Sequence, residues 1–149
     1  DVCSSDLPDS DRTVGVDRLG EVLAEADVVV LAAATTDESR RMIGSAELAA
    51  MKPTAVLVNI ARGAIVDSDA LLDSLRSGHL WGVGLDVTDP EPLPDGHPLW
   101  SHPRCVVTSH TADTDEMVEP LLAARVRHNV AALLGAGDFI GIVDAKAGY

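Results

Sequence analysis

Three side chains that could together perform acid–base chemistry each follow a separate apolar run of the sequence: Arg62, Glu91 and His110. An arginine in a tight turn can present two parallel N–H donors to a carboxylate, which is the geometry needed to hold a small 2-keto or 2-hydroxy acid. A histidine can protonate a carbonyl oxygen or deprotonate a hydroxyl, and a neighbouring carboxylate favours its charged form. These residue types predict Arg62 as the substrate-binding group and His110 as the acid–base group, with Glu91 as its partner.

Side chains cannot supply a hydride, so the same chemistry requires a nicotinamide cofactor. Asp86 stands at the end of the third apolar run. Its carboxylate could accept hydrogen bonds from the carboxamide of the cofactor. Asp86 is therefore predicted to bind the nicotinamide end of a dinucleotide.

Four short runs of β-branched and aliphatic residues must position these groups, and they cover residues 28–32, 55–59, 82–87 and 105–108. None alternates with polar residues, which is typical of strands buried on both faces. Helical patterns lie between the runs, so we expect an α/β fold with a mostly parallel sheet.

Helix boundaries can be placed from capping residues. We expect Asp17 to begin the first helix, Ser45 a short second one, and Asp67 or Ser68 a third that ends at Gly78. A last helix is predicted over about 115–134, with Asp113 and Glu116 at capping-box spacing and Pro120 as an irregularity.

The carboxyl ends of parallel strands form the usual ligand edge of an open sheet. Polar side chains follow all four predicted strands there. Loops are often simply polar, and any single residue could be explained in that way. The coincidence of Arg, Glu and His after three successive strands favours a functional site.

Composition excludes several partners. The chain of 149 residues carries 24 acidic and 11 basic residues, a formal charge of −13, which argues against nucleic acid. Its longest apolar run, 28–34, is far shorter than the roughly 20 residues that cross a bilayer. The two cysteines and five scattered histidines have no metal-ligand spacing. We expect a cytoplasmic protein with no metal, no nucleic-acid partner and no membrane partner.

The stretch "VLVNIARGAIVDSDALLDSLRSGHLWGVGLDVTDPEPLPDGHPLWSHPRCVVTSH" resembles the nucleotide-binding domain of the D-isomer-specific 2-hydroxyacid dehydrogenases. The resemblance rests on an Asn-x-Ala-Arg-Gly turn, an Asp-Val-x-x-x-Glu-Pro stretch and a His after the last strand. It implies a partial Rossmann-type sheet that binds NAD, with NADP left open. It also implies a small 2-keto or 2-hydroxy acid as substrate, and a homodimer.

The same resemblance assigns roles to individual residues. It implies that Arg62, Glu91 and His110 are catalytic. The implied cofactor-binding residues are Ala34, Thr36, Ile60, Ala61, Asp86 and Ala112. Two of them depart from the family pattern, because Ala34 stands where a Pro is usual and Ala112 where a Gly is common. We expect these departures to affect the shape of the pocket, not the acid–base groups.

The family's glycine-rich phosphate turn, G-x-G-x-x-G, is not found in this sequence. We therefore expect residues 8–149 to be the C-terminal portion of a dinucleotide-binding domain. The opening "DVCSSDL", residues 1–7, reads like the translation of a DNA-sequencing adapter end and is expected to be a non-native leader. Such a fragment would be inactive alone. The alternatives are a dinucleotide-sensing protein that resembles a corepressor, and a decayed fragment without catalysis.

Overall fold

A computed structural model describes residues 12–146 of the chain, which divide into two compact units. The first unit extends to Thr108 and the second begins at Ser109. The sequence predicted one domain with a terminal helix and tail, and that helix lies in the second unit. The predicted leader, residues 1–7, lies outside the described residues.

The first unit contains a parallel sheet of four strands in the order β1-β2-β3-β4. The strands are β1 (Val28–Leu31), β2 (Val56–Asn59), β3 (Gly82–Leu85) and β4 (Cys105–Val107). Because all three pairings are parallel, the carboxyl ends of the strands lie at one edge of the sheet. The predicted α/β class, a partial Rossmann-type sheet with flanking helices, is confirmed.

Four helices accompany this sheet. They are α1 (Leu19–Glu25), α2 (Ser45–Ala50), α3 (Ser68–Arg76) and α4 (Pro98–Ser101), with short 3-10 turns at Val16–Arg18 and Gly63–Ile65. The buried residues of α3 are three leucines, Leu71, Leu72 and Leu75.

The predicted helix starts hold for α3 and fail for two others. Asp67 caps α3, since its carboxylate accepts from Asp69 N and Ala70 N at 3.1 Å each. Asp17 was wrong as a cap, because it lies inside the 3-10 turn that precedes α1. Ser45 is the first residue of α2, and the cap is Gly44, whose N–H donates to the Glu47 carboxylate.

The C-terminal end of α3 is closed by backbone hydrogen bonds. Gly78 N donates to Leu75 O and His79 N donates to Ser74 O, both at 3.1 Å. Gly78 has φ +74°, the left-handed conformation that this closure requires and that glycine adopts without strain. The predicted stop at Gly78 is confirmed.

Within the described part of the first unit, residues 12–108, only one face of the sheet is buried, whereas the sequence predicted burial on both faces. Leu31, Leu57 and Leu85 point into the core. On the opposite face Val30 is 56% exposed and Val106 is 65% exposed. The apolar strands therefore have one face that no helix of the first unit covers.

The second unit contains residues 109–114, helix α5 (Asp115–Leu133) and the segment that follows the helix. These bounds confirm the predicted helix over about 115–134, although the cap is Thr114 and not Asp113, and the helix contains Pro120. Asn129 Nδ2 donates to Ile140 O, and Ile140 N donates to Asn129 Oδ1, both at 3.0 Å. These two bonds hold the tail beside the helix. Within residues 12–146, no helix combines the length and apolarity that a membrane crossing needs.

Candidate active site

The strands of the first unit stay paired one residue beyond their ends. Ile60 N donates to Leu31 O at 3.2 Å, Asp86 N to Asn59 O at 2.9 Å, and Thr108 N to Leu85 O at 2.9 Å. These bonds fix the backbone at the carboxyl ends of β1 to β4, so the residues that follow each strand begin next to one another. The backbone of three residues that carry polar side chains, Asn59, Asp86 and Thr108, is thereby aligned across the edge.

Asn59 organises the turn that follows β2. Its side chain is 0% exposed, and both polar atoms are bonded to the turn. Asn59 Oδ1 accepts from Ala61 N and Asn59 Nδ2 donates to Arg62 O, each at 3.0 Å. A buried amide that closes its own turn fixes the backbone of Ile60 and Ala61, the predicted cofactor-binding residues. The predictions did not include Asn59 as a site residue, although its place at a strand end was visible.

Arg62 leaves this turn with an exposed side chain and an extended backbone. Its guanidinium Nη1 donates to Ala61 O at 2.6 Å. Ile60 is 42% exposed, whereas Ala61 is buried. The turn therefore presents a charged donor group to solvent from a rigid base, as binding of a carboxylate would require.

The next residue, Gly63, docks the turn against the loop that carries Glu91. A Cβ at Gly63 would lie 2.0 Å from the carbonyl carbon and oxygen of Thr88 and 2.6 Å from Asp89 N. Ser68 Oγ donates to Asp89 O at 2.9 Å from the start of α3. Two independent contacts thus hold the loop in register with the Arg62 turn.

Glu91 lies exposed in that loop, between two cis peptide bonds, Asp89–Pro90 and Glu91–Pro92. Its carboxylate Oε2 accepts a long hydrogen bond from Thr88 N, at 3.4 Å. Thr88 Oγ1 donates to Pro90 O at 2.9 Å. Hydrogen bonds within the loop therefore contribute to its conformation.

Asp86 is the only charged residue among residues 12–146 that is buried, with 7% of its surface exposed. Thr108 Oγ1 donates to Asp86 Oδ1 at 2.5 Å. A carboxylate oriented at a strand end is an acceptor that suits the N–H groups of an amide. This acceptor fits the carboxamide end of a nicotinamide. The sequence contains no glycine-rich turn that would hold the pyrophosphate.

The loop after β1 contains two more of the predicted cofactor-binding residues, Ala34 and Thr36. Both are linked to Ser39, which the sequence analysis missed. Ser39 Oγ donates to Ala34 O at 2.8 Å and accepts from Thr36 N at 2.8 Å. Thr-x-x-Ser spacing in a polar loop is the signal that could have identified this bonding. The loop has a defined shape although it lacks the usual proline.

His110 and Ala112 belong to the second unit. Both are exposed, and His110 has φ +59°, in the left-handed region that few residues other than glycine adopt. Backbone strain of this kind is common at functional sites. The structure brings Arg62, Asp86 and the Glu91 loop together in the first unit. The pairing of His110 with Glu91 stays a prediction.

Residues 3–112 match the family model described as D-isomer specific 2-hydroxyacid dehydrogenase, NAD binding domain. Glyoxylate/hydroxypyruvate reductase B of Pectobacterium carotovorum is 42% identical over 118 residues, which are 78% of this chain and 37% of that protein.

Two solved structures are also similar. A D-isomer specific 2-hydroxyacid dehydrogenase of Xanthobacter autotrophicus, in complex with NADPH and MES, has a TM-score of 0.77 and 34% identity, over 91% of this chain and 55% of that one. An NADPH-dependent glyoxylate/hydroxypyruvate reductase of Sinorhizobium meliloti, in complex with NADP and sulfate, has a TM-score of 0.87 and 27% identity, over 99% and 48%.

The chain therefore spans about a third to a half of the length of these relatives. The family match covers most of the first unit and the start of the second. On this match, the chain belongs to the D-isomer specific 2-hydroxyacid dehydrogenase family, and residues 3–112 correspond to its NAD binding domain.

Proposed function

We propose that the whole protein is an NAD(P)-dependent oxidoreductase that interconverts a small 2-keto acid and a D-2-hydroxy acid. The observation that carries this proposal is the alignment of the Arg62 turn, the buried Asp86 and the Glu91 loop at one edge of the sheet. The relatives named as glyoxylate/hydroxypyruvate reductases support keto acids of two or three carbons as substrates.

In this proposal each side chain has a separate task. The Arg62 guanidinium holds the substrate carboxylate through parallel N–H donors. His110 gives a proton to the carbonyl oxygen, or removes it in the reverse direction, and Glu91 favours the charged imidazole. The nicotinamide, when bound, supplies or takes the hydride.

The remaining predicted residues bind the cofactor in the same proposal. Asp86 accepts from the carboxamide, and the backbone of Ile60 and Ala61 borders the dinucleotide, together with the loop at Ala34 and Thr36. Ala112 lies beside the nicotinamide. NAD and NADP are both candidates, since the matching family model describes an NAD binding domain and the two solved relatives contain NADPH or NADP. We further propose a cytoplasmic homodimer on the family resemblance.

The test is turnover by the whole protein with a panel of 2-keto acids. The loss of nicotinamide absorbance measures this turnover. We expect His110→Gln to lower kcat by at least about 100-fold, as loss of a general acid does. Arg62→Ala should raise KM for the keto acid by about 10- to 100-fold, as loss of a charged hydrogen bond does. Activity near that of the unchanged protein in either variant would remove that residue from its role.

Matched controls lie near the amino end of β4, at the opposite edge of the sheet. They are His102→Gln and Arg104→Ala, which change the same residue types. Both should leave kcat and KM nearly unchanged. Dinucleotide binding by the whole protein without turnover of any keto acid would contradict the proposal and favour the non-enzymatic sensing alternative.

A further inference from the structure

We propose that Thr108 is a positioning residue that holds the Asp86 carboxylate in the orientation that accepts from the cofactor's carboxamide. This inference rests on the proposed function and adds a residue to it. Thr108 was not among the predicted site residues. It lies directly after β4, 22 positions along the chain from Asp86.

A backbone hydrogen bond fixes the position of Asp86 independently of its side chain. Asp86 N donates to Asn59 O at 2.9 Å, so the residue continues the pairing of β3 with β2. The side chain is 7% exposed. A buried carboxylate needs hydrogen-bond donors to offset the loss of water. The orientation of the carboxylate therefore depends on which donors surround it.

Thr108 supplies such a donor from an equally fixed position. Thr108 N donates to Leu85 O at 2.9 Å, which continues the pairing of β4 with β3. Its hydroxyl Oγ1 donates to Asp86 Oδ1 at 2.5 Å. A β-branched side chain on a paired backbone has few alternative χ1 rotamers, so the hydroxyl keeps its direction.

The two residues differ in their access to solvent, because Thr108 is exposed while Asp86 is buried. Without the hydroxyl, the carboxylate would lose this donor and gain rotational freedom. A hydrogen bond to an amide N–H depends on distance and angle, so a loosely held acceptor would discriminate poorly.

The carboxamide offers a direct probe of this orientation. In 3-acetylpyridine adenine dinucleotide an acetyl group replaces the carboxamide, so this analogue lacks the N–H donors and retains the remaining structure. The ratio of its Kd to that of the natural dinucleotide measures the contribution of the amide contact. General destabilisation would weaken the binding of both ligands and leave the ratio unchanged.

The experiment measures this ratio in the whole protein, with the reduced forms of both ligands, for Thr108→Val and Thr108→Ser. We expect Thr108→Val, which keeps the shape and loses the hydroxyl, to lower the ratio by about 10-fold. Thr108→Ser keeps the hydroxyl and should retain the ratio within about 2-fold. Thr108→Ala provides a second variant without the hydroxyl, should the valine variant fold poorly.

Thr54→Val is the matched control, because Thr54 is exposed and precedes β2 at the opposite edge of the sheet. It should leave the ratio unchanged. The inference would be overturned if Thr108→Val or Thr108→Ala folds and gives the same ratio of Kd values as the unchanged protein. An unchanged protein that binds both dinucleotides equally would also overturn it, because Asp86 then has no amide contact to orient. Binding of neither dinucleotide by the unchanged protein would instead contradict the proposed function.

Discussion

Gly63 and Thr88 lie so close that a Cβ on the glycine would be 2.0 Å from the Thr88 carbonyl oxygen. The contact joins two backbones, so neither partner can yield by changing a rotamer. It links the turn that carries Arg62 to the loop that carries Glu91. The distance between two proposed catalytic elements thus depends on a residue that has no side chain.

Gly63→Ala should therefore displace the loop of Thr88 and Asp89. We expect the free energy of unfolding to fall by about 1–3 kcal/mol, as overpacking in a close contact does. Urea denaturation of the whole protein measures this, and turnover should fall with it. Gly20→Ala, in α1 with nothing within 4 Å of the added Cβ, should instead stabilise the protein by up to about 1 kcal/mol. Equal effects of the two substitutions would contradict the role of this contact.

Asn59→Ala should weaken both the fold and substrate binding. The substitution leaves Ala61 N and Arg62 O without their bonds to the side chain, at a cost of about 1–3 kcal/mol. Because the turn also places the guanidinium, KM for the keto acid should rise more than kcat falls. Asn129→Ala removes the same pair of bonds, to Ile140 in the second unit, and should leave KM unchanged. A normal KM for Asn59→Ala would show that the turn keeps its shape without the amide.

Substitution by valine should change the stability of the protein in opposite directions at two adjacent threonines of the loop after β1. Thr35 Oγ1 is buried with no hydrogen-bond partner among residues 12–146, so Thr35→Val should stabilise the protein by about 1 kcal/mol. Thr36 Oγ1 accepts from Ser39 N at 3.2 Å, so Thr36→Val should destabilise it by a similar amount. Thermal unfolding of the two variants tests the pair, and a loss of stability in Thr35→Val would mean that its hydroxyl does have a partner.

Burial raises the pKa of the Cys105 thiol from its ordinary value of 9.0 to about 11. In the folded state the Cys105 thiol thus keeps its proton above pH 9, where the thiol of the unfolded chain has lost it. This group therefore contributes stability that is complete below about pH 9 and declines as pH rises to about 11. Denaturation midpoints over this range should fall less steeply in Cys105→Val than in the unchanged protein. The thiol should also react slowly with alkylating reagents near neutral pH.

The elements that could be read from the sequence are those whose signals are local. Asp67 caps α3 through N–H groups two and three residues away, and Gly78 ends the helix through bonds within its own turn. The four apolar runs became four strands within a few residues of the predicted bounds. Asp17 and Ser45 were misplaced as caps because a 3-10 turn and a glycine occupy those starts.

The sequence also placed Arg62, Asp86 and Glu91 correctly after strands that end at one edge. It did not reveal that Asn59 holds the Arg62 turn, that Thr108 bonds to Asp86, or that Ser39 links Ala34 to Thr36. Asn59 and Ser39 act over short spacings, and their bonding patterns are ambiguous in a polar loop. The effect of Thr108 on Asp86 depends on the pairing of β3 with β4, which brings two distant chain segments together.

By itself, then, the amino-acid sequence determined the order of strands and helices, the ends of α3 and the polar residues that follow each strand, because these depend on neighbours along the chain. The tertiary structure alone decided that helices of the first unit cover one face of the sheet, that Gly63 meets Thr88 backbone to backbone, and that Thr108 bonds to Asp86. Those features depend on which strands pair and in what register. Pairing is a relation between segments about 20 to 30 residues apart, and no local pattern specifies the distance between their atoms.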